Sequence, residues 1–386
     1  MQNLGLEIFD MLTRYQLTSQ AIYIVAKLRL ADYLKDGPKS VKDLAQETKT
    51  HPESLYRLLR MLSSIGIFAE TKKEGNGQQK QQQVDHSIKR FELTPMASPI
   101  QSEARNSIRN FALMFGLESF KNAIDDLFYS IQTGENSFKH ANGLEIYEYL
   151  DRNQKEAQIF NSAMASLTSS VTSLISSMYD FSQFNTIIDI GGGQGIFLSS
   201  ILKDNTRLYG VLFDLPHAIQ SAKKLYARES ANSNDNVDYG ILSRYKLIEG
   251  DFFKSIPATG ADGYIIKNVI LNWDDQSAAI ILKNCLQAMK DTSSSIISEN
   301  QANRKKTSPK LLIIDTIMPE GNEPFIGKFT DILMLALTHK GRIRTEEEFR
   351  KLLDSSGFEI TRIMRSHDPV NPLSIIEAIP SLSRSS

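Results

Sequence analysis

Two rhythms divide the chain. Over the first hundred residues apolar positions recur every three or four residues, the spacing of helices with one buried face. Residues 17–36 are expected to form one such helix, stopped by Gly37 and Pro38, and Ser40 stands where it can cap the next. The stretch SVKDLAQETKTHPESLYRLLRMLSSIGIFAE divides into two short helices around 48–51, with Leu55, Leu58, Leu59 and Leu62 on one face of the second. Two short strands follow, at 67–70 and 90–93. The insert between them, KKEGNGQQKQQQVDHS, is too polar to pack and is expected to be a mobile hairpin tip. Three helices and a ribbon make a winged-helix pattern. A DNA reader would need basic residues along 52–63, but only Arg57 and Arg60 are there, so packing or dimerisation is the expected role.

Residues 106–180 read as connecting helices. From Asn185 the rhythm changes to strand, loop, helix: TIIDI, YGVLFD, YKLIEG, DGYIIKNV and KLLIIDTIM are short apolar runs, each followed by a loop or helix. Buried parallel strands have this pattern, and the alternation predicts an α/β fold with a doubly wound sheet. FEITRIMR and LSIIEAI lie close together around HDPVNP and are expected to pair as an antiparallel edge. A chain of 386 residues exceeds what one core fills. Two domains are expected, a winged-helix domain over 1–105 and linker helices with the α/β domain over 106–386.

Composition narrows the function. The formal net charge of −1 offers no electrostatic reason for nucleic acid or an anionic membrane as partner. The single cysteine, Cys285, excludes an internal disulfide and any zinc site built from several thiolates, and no metal site is expected. The first residues, MQNLGLEIFDMLTRYQ, lack the apolar core of a secretory signal, and no apolar run is long enough to span a bilayer. A soluble protein of a reducing, cytoplasmic compartment is expected.

The strongest local signal is TIIDIGGGQGIFLSSIL. A buried strand ends at Ile190, and Gly191, Gly193 and Gly195 then open a helix, allowing a tight turn and the close approach of a ligand. A dinucleotide fingerprint would need glycine at 196, where this chain has Ile196. Asp214 ends the next strand, 21 positions after Gly193, where its carboxylate can accept hydrogen bonds from both hydroxyls of a ribose. No G-x-x-x-x-G-K-[ST] phosphate loop occurs. A sulfonium nucleoside carries no phosphate, which suits Asp189 at the strand end. In EGDFF, Asp251 can accept from the exocyclic amine of adenine while Phe252 packs on the ring.

With DIGGGQG, FDLPHAI, LIEGDFF, KNVILNWDD, LLIIDTIMPEG, KFTDILMLALTHKGRIRTEEEF and LLDSSGFEI in that order, the chain resembles the class I S-adenosylmethionine-dependent O-methyltransferases that act on plant phenolics, hydroxyindoles and bacterial polyketides. The resemblance covers almost the whole chain and implies a winged-helix dimerisation domain, a homodimer with interlocking N-terminal segments, and S-adenosylhomocysteine as product. Position by position it implies that Asp189, Gly191, Gly193, Gly195, Asp214 and Leu215 hold the methionine part and the ribose. Asp251, Phe252 and Lys267 would frame the adenine, with Trp273 beside the cofactor. It further implies that Phe160, Asn161 and Met164 of IFNSAM, with Met334 and Thr338 of DILMLALTH, line the acceptor pocket.

The pattern is broken at one decisive place. Many members carry a histidine before the N-W or D-W pair as general base, and here that position is Leu271. Of the two acidic residues that flank such a histidine, one corresponds to Asp315, while Ile343 replaces the other. Asp315 keeps its charge and, with His339, is a candidate to polarise the acceptor. His140 is the other histidine able to stand in, whereas His217 is expected to cap a helix near the cofactor and His51, His86 and His367 fall in loops or turns. The Leu-Asn-Trp arrangement resembles relatives that methylate by proximity and orientation, and others that bind the cofactor without methylating. The sequence leaves both readings open, and a DNA-binding regulator remains a third.

Overall fold

The structure, a computed structural model, describes residues 4–71, 86–104, 107–232, 243–295, 308–368 and 371–381. All but two residues of the Gln-rich insert lie outside them. The chain forms two compact units, one comprising 1–121 with 155–167, the other 122–154 with 168–386.

In the first unit, helices α1 (Leu4–Leu28) and α2 (Leu30–Tyr33) precede a two-residue strand β1 (Lys39–Ser40), and α3 (Val41–Thr48) and α4 (Pro52–Ser64) lead to β2 (Phe68–Glu70) and β3 (Arg90–Leu93). The Ser40 side chain accepts from the Asp43 amide and caps α3. Lys49 in the left-handed region ends that helix, and His51 caps α4. The ribbon is three-stranded rather than two, since β1 pairs with β3. The core gathers Leu30, Leu44, Leu59, Leu62, Phe68 and Phe91. The helix expected over 17–36 breaks at Arg29, a left-handed residue, and begins far earlier, at Leu4. Its added turns leave Leu4, Phe9 and Leu12 exposed.

Helices α5 (Arg109–Phe115), α6 (Glu118–Asp125), α7 (Leu127–Thr133), α8 (Ser137–Asn142), α9 (Ile146–Arg152) and α10 (Gln154–Met178) connect to the sheet. There, β4 (Thr186–Ile190), α11 (Ile196–Asp204), β5 (Tyr209–Asp214), α12 (Pro216–Asn232), β6 (Tyr245–Glu249), β7 (Gly263–Lys267), α13 (Asp275–Ser295), β8 (Lys310–Thr316), α14 (Ile326–Leu337), α15 (Glu346–Ser355), β9 (Phe358–Arg365) and β10 (Leu373–Pro380) follow in turn. The strand order is β6-β5-β4-β7-β8-β10-β9. The first five are mutually parallel, while β10 runs antiparallel to both neighbours. The β9–β10 pair is antiparallel, as the sequence predicts, but β10 sits inside the sheet and of the two strands β9 alone lies at an edge. Separate apolar clusters cover the sheet's two faces, one around Ile188, Tyr264 and Ile313, the other around Ile187, Ile265 and Leu312. The alternation along each strand fills both faces, which is why these runs read as continuously apolar. The order of connection reverses between β4 and β7, where open α/β sheets bind ligands at the carboxyl ends of their strands.

Candidate active site

At that switch point the glycine loop leaves β4. Gly193 has φ +61, a backbone setting that L side chains rarely adopt, and nothing lies within 4 Å of where its Cβ would stand. Its amide donates to Asp214 Oδ2 at 2.7 Å, and the Leu215 amide donates to Oδ1 at 2.7 Å. Burial raises the Asp214 pKa, and the bonds from Gly193 and Leu215 pull the other way. Gly195 answers to a different demand. A Cβ there would stand 1.9 Å from the Tyr245 hydroxyl and 2.7 Å from that of Tyr226. Packing inside the protein alone requires a glycine there.

Asp189 lies beneath the loop, 1% exposed, and neither carboxylate oxygen has a hydrogen-bond partner among the described residues. Burial raises its pKa to about 7 against the opposing charge of Lys267, with Asp214 adding to the rise. Burial lowers the Lys267 pKa, opposed by the charges of Asp189 and Asp315, and its Nζ donates to Thr168 Oγ1 at 3.1 Å. Asp315 at the end of β8 accepts from the Thr316 amide at 2.8 Å through Oδ1, while Oδ2 has no partner among the described residues. Burial raises its pKa to about 7, with the Thr316 bond and the Arg344 charge the chief opposing influences. Two carboxylates and one lysine thus lie within electrostatic reach of one another at the ends of β4, β7 and β8.

Aromatic rings enclose the next part. Trp273 meets Phe253 edge-on at 4.7 Å and Phe252 at 6.3 Å, and stacks on Tyr147 at 6.2 Å between centroids. The Trp273 Nε1 is buried without a partner among the described residues. A Cβ on Gly191 would meet Val269 at 2.8 Å and Phe252 at 3.5 Å, so Phe252 lies against the loop. Asp251 Oδ1 accepts from the Phe253 amide at 2.9 Å, which fixes the turn carrying both phenylalanines. Tyr147, which the sequence did not single out, belongs to this group. Burial raises its hydroxyl pKa to about 12, and the negative charge of Asp214 adds to the rise.

The remaining candidates fall elsewhere. In the first unit, Phe160 packs 6.1 Å from Phe120, and Asn161 and Met164 are half-buried on α10. In the second, half-buried Met334 lies on α14, and its carbonyl receives the Thr338 hydroxyl at 2.7 Å. His140 pairs with Asp126 at 2.6 Å and stacks on Tyr129 at 3.9 Å. His339 is exposed, 3.8 Å from Glu145. His217 lies in the first turn of α12, its Nδ1 3.9 Å from Asp151, rather than at the helix cap.

Leu271 sits in a one-turn helix (Ile270–Asn272), and its carbonyl accepts from the Arg342 amide at 2.8 Å. Ile343 is buried, and its amide donates to Asp331 Oδ1 at 2.7 Å. Its neighbour Arg344, also missed in the sequence, sends a fully buried side chain back to this turn. Only the fold brings GRIRT beside ILNW, so no local signal marked that arginine.

A sulfonium nucleoside fits these residues. The open cradle at Gly193, Asp214 held by two amides, the unpartnered Asp189 and the rings of Phe252 and Trp273 offer the space, acceptors and apolar surface such a group would need. The comparisons agree. Residues 124–359 match the O-methyltransferase domain and residues 6–99 the O-methyltransferase dimerisation domain. The chain belongs to this O-methyltransferase family. It is 36% identical to a phenazine O-methyltransferase of Lysobacter antibioticus, over 97% of this chain and 95% of that one. The crystal structure of LaPhzM superposes with a TM-score of 0.81 at 35% identity, covering 98% of this chain and 99% of the other. That of mitomycin 7-O-methyltransferase gives 0.79 at 28% identity, covering 98% of each. The family's reaction is methyl transfer from S-adenosylmethionine to a hydroxyl oxygen, and the chain carries its domain over 124–359.

Proposed function

We propose that the acceptor is an aromatic or polyketide-like hydroxyl compound, methylated by in-line displacement with positioning as the main source of rate. The observation that carries this reading is the pairing of an intact cofactor cradle, Gly193 on Asp214, with Leu271 where a base would stand. Bound S-adenosylmethionine supplies a methyl group on a sulfonium that is already an activated leaving group. The chain's own part is to hold and orient. Asp214 would anchor the ribose, Asp189 would face the cationic end, Asp251, Phe252 and Lys267 would frame the adenine, and Trp273 would pack beside the cofactor. Met334 and Thr338, at the end of α14, are assigned to the acceptor. His140 and His339 are both exposed and paired with carboxylates, so Asp315 is the better candidate to receive the acceptor's proton.

Magnitudes permit this. A general base contributes about 10² to 10⁴ in rate, whereas alignment of two reactants reaches effective molarities of about 10⁵ to 10⁸ M. The relatives named above act on a phenazine and on mitomycin, which supports a ring-bearing small-molecule acceptor. The same leucine favours a second reading, a cofactor-binding enzyme that does not methylate. S-adenosylhomocysteine that accumulates only when a phenolic acceptor is added supports the first. An altered acceptor with the cofactor intact supports the second.

The match to a dimerisation domain and the exposed Leu4, Phe9 and Leu12 of α1 support a homodimer. We assign residues 1–105 to dimerisation and 106–386 to linker helices and catalysis. No helix among the described residues is long and apolar enough to cross a membrane, and a cytoplasmic location is proposed.

A further inference from the structure

We propose that Arg344 is the positioning residue of the turn that carries Leu271 and Trp273, holding both side chains at the setting the reaction uses. The inference rests on reading Trp273 as a cofactor contact. The Arg344 side chain is 0% exposed, and every bond it makes points at that turn or at its continuation. One terminal nitrogen donates to the Ile270 carbonyl at 3.0 Å and the other to the Trp273 carbonyl at 2.8 Å. Nε donates to Asp275 Oδ1 at 2.9 Å, in the first turn of α13. The two carbonyls bracket Leu271 and Asn272, so a single planar fork spans the turn.

The opposite side is fixed as well. The Arg342 amide donates to the Leu271 carbonyl at 2.8 Å, and a Cβ on Gly341 would stand 2.6 Å from that same oxygen. At the start of the turn Asn268 has φ +53, and its carbonyl accepts from Asn272 Nδ2 at 3.1 Å.

Arginine is chemically suited to this place. Burying a guanidinium is costly unless each donor is answered. An ammonium could pair with Asp275, but as a point charge it could not also reach two carbonyls three residues apart in one plane. Because position 271 holds no proton acceptor, the turn's contribution reduces to where it puts Leu271 and the Trp273 ring. The fork governs both.

The test uses the full chain and S-adenosylhomocysteine, and needs no acceptor. Trp273 is the only tryptophan, so its emission reports on this turn alone. Wild-type emission should change on titration with S-adenosylhomocysteine. Arg344→Met, which keeps volume but no donors, should raise the Kd by about tenfold or more and alter the emission change. Arg344→Lys should fall between the two. Asp275→Asn loosens the same fork at a half-exposed carboxylate without touching a buried position, and should move both readouts in the same direction. Glu377→Gln, which disturbs a network at β10, should lower the melting temperature and leave both readouts alone. Folded Arg344 and Asp275 variants with wild-type Kd and emission response would overturn the proposal and leave the cofactor reading standing. Wild-type emission indifferent to S-adenosylhomocysteine, with binding intact by calorimetry, would overturn the reading of Trp273 and the proposal with it.

Discussion

The Gly193 amide donates to the Asp214 carboxylate at 2.7 Å, across 21 positions of sequence and between neighbouring strands β4 and β5. The cradle and the ribose anchor are therefore one device. Asp214→Asn keeps the shape but places an amide where two backbone N–H groups now find two oxygens. Affinity for S-adenosylhomocysteine should fall about ten- to a hundredfold, the span of one lost charged hydrogen bond. Isothermal calorimetry on the two proteins measures this directly.

The loop glycines should respond differently to a methyl group. Gly195→Ala drives a Cβ to 1.9 Å from the Tyr245 hydroxyl at φ +73, so strain and overpacking add. Stability should drop by about 2–4 kcal/mol in denaturant titration. Gly193→Ala meets open space and carries only the left-handed cost of about 1–2 kcal/mol. It should instead lose cofactor affinity, because the methyl occupies the cradle. Equal loss of stability in both variants would contradict the distinction.

Acid should act through Glu377. Burial pushes this carboxyl up, but bonds from Tyr179 at 2.6 Å, Thr361 at 2.7 Å and Lys310 at 3.1 Å outweigh it and bring the pKa from 4.5 down to about 2. A depressed acid stabilises the fold at pH values above its unfolded pKa and loses that contribution as pH falls toward the folded value. Glu377→Gln should cost about 3 kcal/mol at neutral pH. The gap from wild type should narrow between pH 4.5 and about 2. Melting curves of both proteins across that range check it.

Much of this was legible because it is local. The glycine loop, the aspartate that ends the next strand and the five apolar runs declare themselves through spacing, and the parallel sheet follows from them. Three things were not. The first turns of α1 spread apolar residues around the helix without a single buried stripe, so periodicity places the start too late. The strand β1 is two residues long, and a ladder that short leaves no alternation to read. Arg344 and Tyr147 owe their roles to what the fold brings beside them, across 71 positions from Trp273 in the first case. Ile343 drew the reading to the wrong residue of GRIRT: the departure was at 343, while the structural contact is made by its neighbour.

Leu271→His tests whether position 271 lacks only an imidazole. In this site Asp315 is buried and Ile343 offers no carboxylate, so a new histidine would have Asp315 alone to orient it. The variant should gain less than about tenfold in turnover, against the 10² to 10⁴ typical of a working base. Single-turnover rates with one phenolic acceptor decide it. A gain in the full range would mean that orientation was not carrying the rate.

The most direct test of methyl transfer is to incubate the purified enzyme with methyl-labelled S-adenosylmethionine and a panel of hydroxylated phenazines and related aromatic phenols. Mass spectrometry then follows label in the acceptor together with S-adenosylhomocysteine. The account predicts one label on an aromatic oxygen for each S-adenosylhomocysteine formed. Tight cofactor binding with an acceptor that changes while the label stays on sulfur would contradict it.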